Sequence, residues 1–65
     1  MIALNGLRKG HQYKVTNHGE VYEFIIMDIL AEDDFLLKDI HTFETFLFSL
    51  ITQYGIGNDY DIIEL

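Results

Sequence analysis

Few side chains in this chain are placed to do chemistry, and the strongest pair is Asp28 with Asp39. In the strand register argued below both fall on one sheet face beside Phe24 and Leu37, and apolar neighbours can raise one carboxyl pKa as general acid catalysis requires. The plainer reading places them near the sheet edge, partnered by Lys14 and solvent, because burial set by the whole fold decides a carboxylate's pKa. His11, His18 and His41 are too far apart for a two-histidine helix motif. Without cysteine, a zinc site would need all three plus a carboxylate gathered by folding. The acids Glu32, Asp33 and Asp34, and Asn58 with Asp59 and Asp61, lack the alternating acids, central glycine and distant glutamate of a calcium loop. Ser49 is the only serine and falls in mid-helix, so no strand-to-helix elbow presents it to His41 and Asp39 as a nucleophile. Gly55-Ile56-Gly57 follows a predicted helix, whose carbonyl end repels phosphate, whereas a phosphate loop opens a helix. No catalytic, metal-binding or cofactor-binding residue is therefore assigned, and the chain is expected not to be an enzyme. The rival reading is a small carboxylate-based or metal-assisted hydrolase using Asp28 and Asp39, or His41.

Composition narrows the classes further. Sixty-five residues leave room for one domain, 1–65, and eleven acidic against four basic side chains give a formal net charge of −7. Nucleic acid and anionic lipid would be repelled unless the few cations shared a face. Arg8, Lys9 and Lys14, with His11 and Tyr13 between them, are the only such grouping and keep RNA binding as a third, disfavoured reading. With no cysteine, apolar burial must stabilise the fold alone, and 49 % hydrophobic residues with a mean hydropathy of +0.12 exclude disorder. The longest uncharged stretch, Thr45 to Asn58, is fourteen residues and too short to span a bilayer. The apolar start, Met1 to Leu4, precedes its first charges at Arg8 and Lys9, the reverse of a secretory leader. A cytoplasmic location is expected.

These residues must be positioned by short elements, since proline is absent and glycine and asparagine carry the punctuation. His11 to Thr16 alternates Tyr13 and Val15 with polar residues and predicts a strand. Asn17-His18-Gly19 predicts a three-residue hairpin loop with glycine in the left-handed last position. Glu20 to Leu30 predicts a long second strand with apolar residues on both alternations. After the acidic loop Ala31 to Asp34, a third strand runs from Phe35 to Ile40. Placing Leu30 opposite Phe35 sets Asp28 opposite Leu37 and Ile25 opposite Ile40. One face then holds Tyr13, Val15, Val21, Ile25, Met27 and Ile29, and the other Tyr22, Phe24, Ile26, Phe35 and Leu37. Thr42 is a helix N-cap candidate. The stripe Phe43, Phe46, Leu47, Leu50, Ile51 and Tyr54 predicts an amphipathic helix over 43–54 ended by Gly55, with Phe48 on its polar side. Tyr60 to Glu64 predicts a closing strand.

The segment Lys9-Gly10-His11-Gln12-Tyr13-Lys14-Val15, the long bent second strand, the third strand Phe35 to Ile40 and the closing strand Tyr60 to Glu64 resemble a small SH3-like β-barrel of the Tudor or KOW kind. That resemblance implies a binding module for peptides or RNA, but none of those families' ligand-contacting residues matches a position here. The expected fold is mainly β with one helix, α+β by count: a strongly bent antiparallel sheet in the order β-β-β-α-β, forming an SH3-like partial barrel. One helix covers one sheet face, so the second apolar face must find cover elsewhere. The expected function is a non-enzymatic interaction module. It pairs as a homodimer, or with another protein, through Tyr22, Phe24, Ile26, Phe35, Leu37 and Phe48. Glu32, Asp33, Asp34, Asp59 and Asp61 offer an alternative surface for a basic protein partner.

Overall fold

The first hairpin decides which side chains share a face. In the computed structural model, which describes residues 1–65, strand β1 (Gln12–Asn17) and strand β2 (Glu20–Ala31) pair antiparallel with Asn17 opposite Glu20. The loop is thus two residues, His18 and Gly19, with φ of 51° and 75°. Two consecutive left-handed residues make a type I′ turn, whose twist matches that of the flanking strands. The expected three-residue loop is wrong by one position, and a one-residue slip turns a whole strand over. Tyr13 therefore lies opposite Phe24 and Val15 opposite Tyr22, on one face rather than two.

Strand β3 (Asp34–Asp39) returns along β2 with Ile26 opposite Leu37, Asp28 opposite Leu36 and Ile29 opposite Phe35. Met27 is the extra residue of a β-bulge, and a second irregularity lies between Ile29 and Ala31. Because a bulge restarts the alternation, Ile29 joins the Phe35 face and Asp28 turns to the opposite one. Strand β4 (Thr45–Leu47) pairs with β3 and strand β5 (Asp61–Glu64) with β1, giving one five-stranded antiparallel sheet in the order β4-β3-β2-β1-β5.

The expected α+β class and SH3-like partial barrel are overturned. No α-helix is present, only single 3-10 turns at Leu4–Gly6 and Phe48–Leu50, and no strand pairing closes β4 onto β5. The segment read as a helix over 43–54 begins with Phe43 at φ 63°, a left-handed bulky residue that no helix tolerates. It then extends through β4 and bends at the 3-10 turn. Its aromatic and β-branched residues Phe46, Phe48, Ile51 and Thr52 favour strands over helices, and a lone twelve-residue helix is marginal in water. Burial agrees: Phe48 is 2 % exposed, whereas the stripe residues Phe43 and Tyr54 are 68 % and 85 % exposed. No helix is long and apolar enough to cross a membrane.

The core collects Leu7, Tyr13, Val15, Phe24, Ile26, Phe35, Leu37, Phe48, Ile51 and Ile62. The N-terminal arm supplies Leu7, and the connector between β4 and β5 supplies Phe48 and Ile51, so irregular chain does the covering expected of a helix. Phe35 meets Phe48 edge to face at 5.7 Å, and Phe24 meets Phe46 at 6.4 Å in the same geometry. Such pairs contribute about 0.5–1.5 kcal/mol each beyond the area they bury.

Candidate functional site

The residues expected to form an interface are the core. Phe24, Ile26, Phe35, Leu37 and Phe48 are buried within the single chain, and Tyr22 is half-buried against Phe46. A partner cannot reach the five without unfolding the domain. The cause is the hairpin register, which moves Tyr13 and Val15 onto the same side and leaves one strongly apolar face. Across the sheet the other face is mixed, with Ile25 between Gln12 and Lys38, and Lys14 between Glu23 and Ile63.

The carboxylate pair is likewise separated by the bulge. Asp28 lies opposite Leu36 on the outer face, 3.9 Å from the Lys9 ammonium, whereas Asp39 lies opposite Phe24 at the rim of the inner face. Asp39 is a turn cap: its carboxylate accepts the backbone N–H groups of His41 at 2.7 Å and Thr42 at 3.0 Å. The Thr42 bond, followed by that of His41, holds its pKa below the ordinary carboxylate value. His41 donates through Nε2 to Glu23 at 2.7 Å, and this bond raises the imidazole pKa. His11 faces Glu64 at 3.1 Å, and His18 reaches the Gly55 carbonyl at 3.0 Å. The three histidines thus serve three different contacts, and no group of three or more His, Asp or Glu side chains converges on a point.

Two polar residues, expected as part of the hairpin loop and as a surface acid, instead hold the long connector in place. The buried Asn17 amide donates to the carbonyls of Ile51 at 2.9 Å and Gly55 at 3.1 Å and accepts the Gly57 N–H at 2.8 Å. Asp59 accepts the N–H groups of Gly19 at 2.7 Å and His18 at 2.8 Å, stabilising the left-handed turn; the Gly19 bond is the main reason its pKa is lowered. Gly55, at φ 91°, takes the left-handed conformation expected there, but within a turn rather than after a helix. For the RNA reading, Tyr13 offers no stacking platform, since its ring is buried and its hydroxyl accepts the Arg8 N–H at 2.9 Å.

Exposed apolar side chains are scattered over the surface, from Val21 and Met27 to Ile56 and Ile63, and two of them, Leu47 and Leu50, sit at the β4 edge. Thr45, Phe46 and Leu47 pair with β3 on one side, and no backbone hydrogen bond reaches them on the other. Leu47 and Leu50 are 41 % and 47 % exposed and, with Phe46, Ser49 and Gln53, line a shallow depression of about 530 Å³ that contains no charged residue. The opposite edge is protected, because β5 carries Asp61 and Glu64 and receives the Ile2 N–H on the Ile62 carbonyl. No protein-family model, curated protein or solved structure matches this chain.

Proposed function

We propose that this domain is a non-enzymatic interaction module that self-associates, two copies joining through their β4 edges. The observation that carries this reading is the unpaired, uncharged edge Thr45–Leu47 with Leu47 and Leu50 exposed beside it. Molecules of charge −7 repel one another unless their contact surface is free of acids. The fourteen residues from Thr45 to Asn58 are the longest uncharged stretch in the chain, and they supply this edge. Antiparallel pairing of β4 with its copy about a two-fold axis continues the sheet and gives the edge N–H and C=O groups partners. It also removes Leu47 and Leu50 of both copies from water, worth on the order of 1–2 kcal/mol for each side chain.

Sedimentation equilibrium across dilution tests the reading. The expected mass rises from 7.6 kDa toward twice that value with concentration and does not fall in about 0.5 M salt, since an apolar contact is not screened whereas the repulsion between two copies is. Leu47→Lys places a charge on the edge and returns the monomer, with the thermal unfolding transition retained because the side chain is exposed. A mass of 7.6 kDa at every concentration, or a dimer indifferent to Leu47→Lys, rejects it.

A further inference from the structure

Strand β2 is twelve residues long and its neighbour β1 is six, so β2 outruns its partner. Backbone pairing on the β1 side ends where Ile26 accepts the Gly10 N–H and donates to the His11 carbonyl. From Asp28 to Ala31 that side of β2 has no backbone partner, although β3 still pairs with the other side. Beneath this free edge lies an open groove of about 570 Å³, bounded by the Leu4–Gly6 turn and the β2–β3 hairpin. Its apolar lining includes Leu4, Leu7, Ile29 and Phe35, and its rim carries Glu32 and Asp33. Neither acid makes a hydrogen bond or ion pair within the chain. Lys9 reaches Asp28 and offsets the charge at the arm end of the groove, so the unopposed negative field sits at the hairpin tip.

We propose that this groove docks an extended basic segment of a partner protein, which adds as a strand along Asp28–Ala31. Three independent features share the location. The strand edge has no backbone partner and offers main-chain hydrogen bonds apart from the Ile29 N–H, which the Asp28 carboxylate accepts at 2.9 Å; an apolar floor takes every second side chain, and the acidic rim selects lysine or arginine in the alternate positions. A second copy of this chain is the wrong occupant, because neither of its sheet edges, β4 and β5, carries a lysine or arginine to meet Glu32 and Asp33. The surface is separate from the β4 edge, so binding here does not depend on self-association.

The test titrates the intact domain with a short peptide alternating lysine and isoleucine, and with a charge-reversed peptide alternating glutamate and isoleucine, following backbone amide shifts by NMR. The expected result is saturable shifting of Leu7, Asp28, Ile29 and Ala31 by the basic peptide at millimolar concentration or below. Affinity should fall at least about tenfold between low salt and about 0.5 M, as screening of the rim charges requires. Glu32→Lys with Asp33→Lys, at an exposed hairpin tip, should abolish binding while leaving the unfolding transition in place. Binding of both peptides alike, shifts confined to another surface, an unaffected double variant, or no shift up to the solubility limit of the basic peptide would each overturn the proposal. An oligonucleotide shifting the same amides would overturn it too.

Discussion

Asn17 shows how much one buried amide can organise, because three backbone groups of the connector depend on it. Asn17→Ala strands the Ile51 carbonyl and the Gly57 N–H, each costing about 1–3 kcal/mol if left dry, and leaves the Gly55 carbonyl with His18 alone. A loss of several kcal/mol in chemical denaturation is expected. Asn17→Asp should be no milder, since a carboxylate can still accept from Gly57 but cannot donate to Ile51 and Gly55. Gly57 is constrained from the other side: a Cβ there would sit 2.8 Å from His18 Nδ1 and 3.0 Å from Asp59 Oδ1. Gly57→Ala should destabilise by about 1–3 kcal/mol, as overpacking does, and should disturb the His18–Gly19 turn in NMR spectra. The exposed carboxylates set the acid response. Asp39 and Asp59 have folded pKa values below their unfolded ones, so their stabilisation is complete above the unfolded value and disappears as pH falls through the folded one. His41 works in the opposite sense: its raised pKa stabilises below the unfolded imidazole value and is lost as pH rises through the folded one. Melting temperature should therefore fall at acid pH less steeply in Asp59→Asn than in the parent. His41→Gln should remove a small decline on the neutral side.

Among the elements, β4 and the 3-10 turn after it separate the observed fold from the helix that the 43–54 pattern predicts. In a helix Phe43 would be core and Phe48 would face solvent; here Phe48 packs on Phe35 while Phe43 lies outside with the Lys38 ammonium 5.4 Å from its ring. Phe48→Ala should cost about 3–5 kcal/mol, the range for emptying a buried aromatic site. Phe43→Ala should cost less than about 1 kcal/mol, since a cation–π contact at an exposed site is weak. Urea unfolding of the two variants decides between the arrangements, and equal losses would contradict the structure. Strands β1 to β3 were legible because Tyr13 and Val15, Phe24 and Ile26, and Phe35 and Leu37 alternate with period two, and their expected bounds differ from the observed ones by no more than one residue at any end. The connector was not legible, because Phe46, Leu47, Leu50 and Ile51 fit a helical stripe as well as they fit a bent strand.

For the whole molecule, surface charge decides which contacts are open. Eleven acids on so small a surface discourage association everywhere except at a neutral patch or with a basic partner. The β4 edge and the groove beside β2 answer those two conditions separately. Raising salt should therefore leave self-association intact and weaken capture of a basic segment, a contrast readable in one sample by sedimentation and NMR. Chain composition and alternation by themselves determined an acidic chain rich in strands, four of its five strands to within a residue, and its reliance on apolar burial, because those properties follow from local periodicity and net charge. Only the tertiary structure decided which face each strand presents. The two-residue turn at His18–Gly19 and the bulge at Met27 each shift alternation by one residue, and such a shift is nearly invisible locally yet reverses every side chain beyond it. That reversal put Tyr13 and Val15 on the buried face with Phe24, Phe35 and Leu37 and parted Asp28 from Asp39.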